Sequence, residues 1–413
     1  MYKRSETDEW DFRNSNTKEF THGYHNYPAM MIPQVARKLI EEYSPKGPLN
    51  LLFDPYMGSG TSLVEASVAG IDSIGTDINP LARLISRVKT TYYNEDDIKH
   101  VFSGIQGAIF EYATDKVVNT NFEHITNCDY WYSDECLYKL SYLTQIIEGV
   151  DLSVKEFFEL ALAEVVRDVS FTRNGEFKRF RMEEDRIKSF DPDTFRLFEG
   201  KIVRNLEGLK EFKSSGHRGT AKIYDFNSSV EIPESIVKEQ SVDLVVTSPP
   251  YGDSRTTVAY GQFSRWANEW FGFENAKNLD NLLMGGQIKK QVNFRTETVS
   301  KELDAIKKLD PKRYIQVISF LNDYYDSIKN VSKVIRSGGR VCYVIGNRTV
   351  KGIQIPLDYF TAEMFEKNDF KHEITFVRSI PNKRMPGKTS PTNKTGATVS
   401  TMNREYIVIL TKN

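Results

Sequence analysis

Two stretches hold the residue types that could do chemistry. The first, Thr247-Ser248-Pro249-Pro250-Tyr251, follows directly on the apolar run Val242 to Val246. That run reads as a buried parallel strand, and two consecutive prolines cannot continue its ladder, so the chain must leave the sheet at Ser248. Neither proline has an N–H, which frees the Pro249 carbonyl to accept a hydrogen bond beside the Ser248 hydroxyl and under the Tyr251 ring. Such a rigid lip suits a flat group carrying an NH2. A Pro-rich turn after a core strand is the plainer account of these five residues, and the second stretch argues against it.

That stretch runs from Leu49 through Asp54-Pro55-Tyr56-Met57-Gly58-Ser59-Gly60-Thr61 into a helix carrying Leu63, Val64, Ala66 and Val68. Gly-x-Gly at a strand-to-helix turn lets the backbone approach a ligand closely, and the helix N-terminus beyond offers unpaired N–H groups. A further strand, Ile71 to Thr76, ends at Asp77, about 20 residues after the glycine turn, where an acid can accept hydrogen bonds from two ribose hydroxyls. The turn is not a phosphate-binding Walker loop, because no Gly-Lys-Ser/Thr follows, and Leu63 stands where a dinucleotide fingerprint needs its third glycine. A cofactor site is expected here.

The elements that must position these residues alternate between strands and helices, which indicates an α/β domain with a mostly parallel sheet. A helix over Gln34 to Tyr43 precedes the glycine turn, preceded in turn by an aromatic loop from Phe20. From Leu81 to about Gly219 the pattern becomes helical, with Leu137, Leu140, Leu143 and Ile147, then Phe158, Ala161, Leu162, Val165, Val166 and Val169, at helical spacing. A helical insertion accounts for it. Within it Arg167, Arg173, Lys178, Arg179, Arg181, Arg186 and Lys188 alternate with phenylalanines, which fits either a solvated face or a phosphate-contacting patch. The sheet resumes at Ala221 to Asp225. After the Ser-Pro-Pro-Tyr lip come a helix over Ile315 to Ile335, a strand over Arg340 to Gly346, a helix over Leu357 to Asn368 and strands over Glu373 to Val377 and Tyr406 to Leu410. The segment Arg378 to Arg404 has no acidic residue and reads as a basic loop.

With 413 residues, 39% hydrophobic and 27% charged, the chain is globular, and no apolar run nears the roughly 18 residues of a membrane span. The polar start, Met1 to Arg13, does not resemble a signal peptide, so a soluble, cytoplasmic protein is expected. Three cysteines without a Cys-x-x-Cys, and only His22 and His25 as close histidines, point to neither a disulfide framework nor a metal site. A net charge of −1 neither invites nor excludes nucleic acid, since binding follows a local basic face.

Asp-Pro-Tyr-Met-Gly-Ser-Gly-Thr followed by Thr-Ser-Pro-Pro-Tyr resembles the S-adenosylmethionine-dependent DNA amino-methyltransferases, whose motifs are D-P-F-x-G-S-G-T and [D/N/S]-P-P-[Y/F/W]. Ser in the first catalytic position is most similar to the cytosine-N4 branch. The resemblance implies a Rossmann-like methyltransferase fold, with 1–90 and 220–413 as catalytic domain and the insertion 91–219 as a candidate target-recognition region. It implies cofactor contacts at Asp54, Pro55, Gly58, Gly60 and Thr61, Asp77 and Ile78 by the ribose, Asp225 beside the adenine, and Thr21 and Tyr27 in an N-terminal cofactor motif spanning Thr21 to Pro28. Ser248, Pro249, Pro250 and Tyr251 become the catalytic residues. The chain departs from many cytosine-N4 enzymes in placing the glycine motif first, and from the family in the long insertion between Asp77 and Asp225.

The chemistry this implies is methylation of an exocyclic amine on a base flipped from duplex DNA, with Tyr251 stacking on the base and the amine held by Ser248 Oγ and the Pro249 carbonyl. No cysteine stands where a ring-carbon methyltransferase would need a thiolate. Arg255, Arg378, Lys383, Arg384 and Lys388 are the expected DNA contacts, and a restriction endonuclease of the same restriction-modification system is an expected partner. Adenine-N6 methylation follows the same pocket logic. An RNA guanine-N2 methyltransferase shares the Pro-Pro-Tyr motif, and a non-catalytic nucleic-acid-binding subunit would require a broken motif that the chain does not have.

Overall fold

The computed structural model describes residues 2–45, 51–112, 120–173, 175, 177–216, 219–253, 257–380, 388–389, 399–400 and 403–413. Its frame is an eight-stranded sheet built from β1 (Arg4–Glu6), β2 (Leu52–Asp54), β3 (Ser73–Thr76), β4 (Ala221–Tyr224), β5 (Val242–Thr247), β6 (Ile335–Ile345), β7 (Phe370–Ser379) and β8 (Arg404–Lys412). The strands lie in the order β1-β7-β8-β6-β5-β2-β3-β4, and among the described residues β8 alone runs against the rest. This is the mostly parallel α/β sheet of a Rossmann-like methyltransferase fold.

The central strands β2, β3 and β5 are buried along their whole length, as strands covered on both faces must be. Alternation along β5 sends Leu244 and Val246 to one face, where they meet Val35, Leu39 and Leu63 of the helices α1 (Pro33–Tyr43) and α2 (Thr61–Val68). Val245 faces the other side, with Phe53, Tyr343 and the helix Pro311–Val334. The chain lays down β2, β3 and β4 in one direction and then returns to place β5 on the opposite flank of β2. The carboxyl ends of β2 and β5 therefore border the point where strand order reverses, the usual place for a ligand crevice in such sheets.

The described residues of 91–219 are mainly helical, with the longest helices at Glu95–Phe110, Asp134–Glu148, Leu152–Asp168 and Thr194–Ser214. Its apolar faces join one continuous core with Tyr24 and Tyr27 of the aromatic loop, Leu81 to Val88 of α3 (Pro80–Thr90) and Phe263 and Trp266 of the helix Tyr260–Trp270. The arginines of this segment mostly turn to acids or rings: Arg173 to Glu183, Arg181 to Glu184, Arg167 over Phe263 and Arg179 over Trp266.

Several boundaries differ from the sequence expectation. β1, inside the polar N-terminal stretch, pairs in parallel with β7, and its charged residues suit an edge strand; Arg4 makes a bidentate pair with Asp358, both bonds 2.8 Å. β6 begins at Ile335 and passes through Ser337-Gly338-Gly339 instead of starting after it, Gly338 taking a φ of 73°. β7 and β8 reach beyond their expected ends because they pair with each other from Phe370↔Lys412 to Ser379↔Arg404. No helix among the described residues is long and apolar enough to cross a membrane, and no group of three or more His, Cys, Asp or Glu among them could hold a metal ion.

Gly60 closes the turn between β2 and α2 with φ 74°, and a Cβ there would lie 2.8 Å from Ser86 Oγ and 3.2 Å from the Ser86 Cα. Left-handed backbone and close approach to α3 both require glycine. Gly60→Ala is expected to destabilise the protein by about 2 kcal/mol, read as a shift in the urea midpoint at unchanged slope. Wild-type stability would show that α2 and α3 are not seated against each other as described.

Candidate active site

Asp54 ends β2 and is buried. Its Oδ1 accepts hydrogen bonds from the Tyr56 N–H at 3.0 Å and from the Thr247 hydroxyl at 2.5 Å, and its Oδ2 accepts one from the Ser62 hydroxyl. One carboxylate thus fastens the glycine turn, the first turn of α2 and the residue that opens the Ser-Pro-Pro-Tyr lip. Burial pushes its pKa up to about 6, against the pull of the three donors.

Around Asp54 opens a cavity of about 900 Å³, its mouth included, at the carboxyl ends of β2, β3, β4 and β5. Of the residues expected to bind cofactor, Tyr27, Asp54, Pro55, Gly58, Thr61, Asp77 and Ile78 line it; of the expected catalytic residues, Ser248 and Pro250 do. Asp77 follows β3, and its Oδ2 accepts from the Gly58 N–H at 3.2 Å while Oδ1 accepts from the Asn79 N–H at 2.8 Å. Burial raises its pKa to about 6 as well, with these N–H groups and the Arg83 charge pulling the other way. The Asn79 amide donates to the Tyr27 hydroxyl at 2.8 Å and to Ser264 Oγ at 2.7 Å, so the aromatic loop, the end of β3 and the helix Tyr260–Trp270 are tied at one residue. Tyr27 also stacks on Tyr260 with ring centroids 6.0 Å apart.

The remaining expected residues are not among those that line the cavity. Gly60 faces Ser86. Thr21 is buried and donates to the Lys89 carbonyl at 2.8 Å, and the buried Lys89 ammonium donates to the Ser59 carbonyl at 2.8 Å. Thr21 therefore braces the glycine turn from outside. Pro249 is buried, and Tyr251 lies beside Ser248, its hydroxyl 3.1 Å from Ser248 Oγ and donating to Glu405 Oε1 at 3.1 Å.

Asp225 is exposed and is not among the residues that line the cavity, whereas the next three, Phe226, Asn227 and Ser228, are. One expectation is corrected. Arg378 is 2% exposed rather than a surface DNA contact. It sits in β7, paired with Glu405 at 2.7 Å and donating to the Asp11 carbonyl at 3.3 Å. Arg255, Lys383, Arg384 and the Lys388 side chain lie outside the described residues.

The sequence did not single out Met30, Met31, Phe226, Asn227, Tyr260 or Met284, which also line the cavity. Phe226 and Asn227 could have been found by their place at the end of β4; Met284 comes from a loop with no local signal. The assembled site offers the buried carboxylate of Asp54 and the half-buried one of Asp77, a tight glycine backbone, apolar walls and a serine hydroxyl, all at adjacent strand ends. It can hold a nucleoside-like group on one side and a polar flat group on the other.

Comparison with known proteins gives the same direction. Residues 2–86 match a family model described as DNA methylase. The chain is 38% identical over 421 residues to the type II methyltransferase M.MvaI of Kocuria varians, covering 97% of this chain and 92% of that one. It is 20% identical over 427 residues to the type II methyltransferase M.BsoBI of Geobacillus stearothermophilus, covering 86% and 80%. Among solved structures, an rRNA methyltransferase, aviRa, from Streptomyces viridochromogenes overlaps 93% of this chain and 86% of its own at 9% identity and a TM-score of 0.33, too loosely to carry an argument. On the strength of a 38% identity that spans nearly the whole of both chains, together with the DNA methylase match, this chain belongs to the type II DNA amino-methyltransferases.

Proposed function

We propose that this chain methylates the exocyclic N4 amine of cytosine at a specific site in duplex DNA, as the modification partner of a restriction endonuclease. The observation that supports it is the meeting of Asp54, Asp77 and Ser248 in one cavity. The cofactor is S-adenosylmethionine, and the residues present fit it. Asp54 and Asp77 are carboxylates whose pKa values burial raises, so the wall favours a ligand that brings hydrogen-bond donors. Bonds to two N–H groups leave lone pairs on Asp77 for ribose hydroxyls. Asp225, with Phe226 and Asn227 of the cavity wall, would take the adenine, and Gly58 leaves room for the methionine side.

When bound, S-adenosylmethionine supplies a sulfonium methyl, an electrophile for the amine lone pair. That lone pair is delocalised into the base ring, which makes the free amine a poor nucleophile. Ser248 Oγ and the Pro249 carbonyl would accept the two N–H groups, fix the nitrogen and localise its lone pair; the gain is orientation and electrostatics in a site without water. The amine is unreachable while paired, so the base must flip out at a cost of a few kcal/mol, returned by those hydrogen bonds and by stacking on Tyr251. The segment 91–219, with the residues after Tyr251 and the basic segment between Arg378 and Arg404, is proposed to contact DNA.

Three outcomes are expected. DNA methylated by the protein and digested to nucleosides yields N4-methylcytosine by mass spectrometry; N6-methyladenine instead would move the same pocket to adenine. Ser248→Ala keeps cofactor affinity but loses about 100-fold in turnover on duplex DNA, and a wild-type rate would sink the amine-binding role. For Asp77 the sign follows from its raised pKa: the free protein takes up a proton there as pH falls through about 6, and ribose hydroxyls need the ionised form. Cofactor affinity by calorimetry should be level above about pH 7 and weaken below about pH 6. Asp77→Asn should bind about tenfold more weakly at neutral pH with a shallower decline; an unchanged pH dependence would contradict the assignment.

A further inference from the structure

We infer that Glu405 is a positioning residue that acts through Tyr251 to present the Ser248 hydroxyl to the cavity as a hydrogen-bond acceptor, selecting a base with an amine over one with a keto oxygen. The inference rests on the proposed role of Ser248 and deepens it.

The argument is a count of protons. A phenol has one, and Tyr251 donates it to Glu405 Oε1 at 3.1 Å, a carboxylate that can only accept. Ser248 Oγ lies 3.1 Å from the same phenol oxygen, so that contact is made only if the serine gives its own proton to Tyr251. What Ser248 then turns to the cavity it lines are lone pairs. No proton is transferred in the process; the chain only fixes which way each hydroxyl points.

Glu405 is well placed to hold the order. It stands opposite Arg378 in the β7–β8 register, and Arg378 Nη1 binds its Oε2 at 2.7 Å. Arg378 is buried and donates to the Asp11 carbonyl at 3.3 Å, while Asp11 Oδ1 accepts from the Ser379 N–H at 2.8 Å. The anchor is therefore set in the sheet rather than on a loop. Burial and the Glu405 charge both push the Tyr251 pKa well above its ordinary value, which keeps the phenol proton in place.

The consequence is chemical selectivity. A serine free to rotate could donate to the amine lone pair and remove the nucleophile, or donate to a keto oxygen and accept the wrong base. With its proton committed to Tyr251, Ser248 welcomes an N–H and meets a keto oxygen as two facing acceptors, an unpaired contact that a closed site penalises strongly.

The test uses the full chain, single-turnover methylation of duplex DNA and separate measurement of cofactor and DNA affinity for Tyr251→Phe, Glu405→Gln, the double variant and Ser248→Ala. Tyr251→Phe keeps the ring and the Glu405–Arg378 pair, and Glu405→Gln can donate to Tyr251 and reverse the order. Each single change is expected to slow methyl transfer about tenfold with both affinities unchanged, and the double variant to be no slower than the slower single. A wild-type rate in Tyr251→Phe, or losses that multiply in the double variant, would overturn the inference. If Glu405→Gln fails to fold, Tyr251→Phe alone decides. Ser248→Ala at wild-type rate would remove the amine-binding role itself, whereas a slow Ser248→Ala beside a wild-type Tyr251→Phe would remove only the relay.

Discussion

The hydrogen bond from the Thr247 hydroxyl to Asp54 joins two stretches that lie 193 residues apart. Asp54 is buried, and a buried carboxylate is costly unless donors surround it. Tyr56, Ser62 and Thr247 supply them, each bond to the charged group contributing about 1.5–3 kcal/mol toward the desolvation cost. The glycine turn and the Ser-Pro-Pro-Tyr lip are thereby fastened to one carboxylate, whose charge both sets of donors favour.

The sheet makes this possible. Strand order reverses between β2 and β5, so their carboxyl ends part to leave a crevice while remaining paired one residue earlier, Phe53 against Val245. The Gly58 and Gly60 backbone then lets α2 start beneath the crevice, and the two prolines after Ser248 keep the lip from returning to the ladder. Helices of the insertion do not stand apart. They share a core with Tyr27 and Phe263, so the segment 91–219 also backs Tyr27 in the cavity wall.

Much of this was legible because glycine and proline act locally. Gly58, Gly60, Pro249 and Pro250 constrain their own backbone whatever surrounds them, so both lips of the cavity could be placed from spacing alone. The unbroken apolar run Leu244, Val245 and Val246 likewise marks a strand buried on both faces. What escaped depends on distant partners. Arg378 counts as a basic residue in any local tally, yet its place is set by Glu405 across a strand pair and by Asp11 some 367 residues away. Phe226 and Asn227 escaped because the facing of a side chain just past a strand depends on how the chain turns. Glu405 itself carries no local signal; only the register of β8 against β7 shows it beneath Tyr251.

The central claim is that donor site and amine site are one unit held at Asp54. Thr247→Val keeps shape and removes the hydroxyl, and measuring its cofactor affinity by calorimetry alongside its methylation rate tests that claim directly. Both should fall, the affinity by about tenfold although Thr247 belongs to the catalytic stretch, because Asp54 loses a donor and the glycine turn loosens with it. Wild-type cofactor affinity with a reduced rate would show instead that the two stretches are independent neighbours.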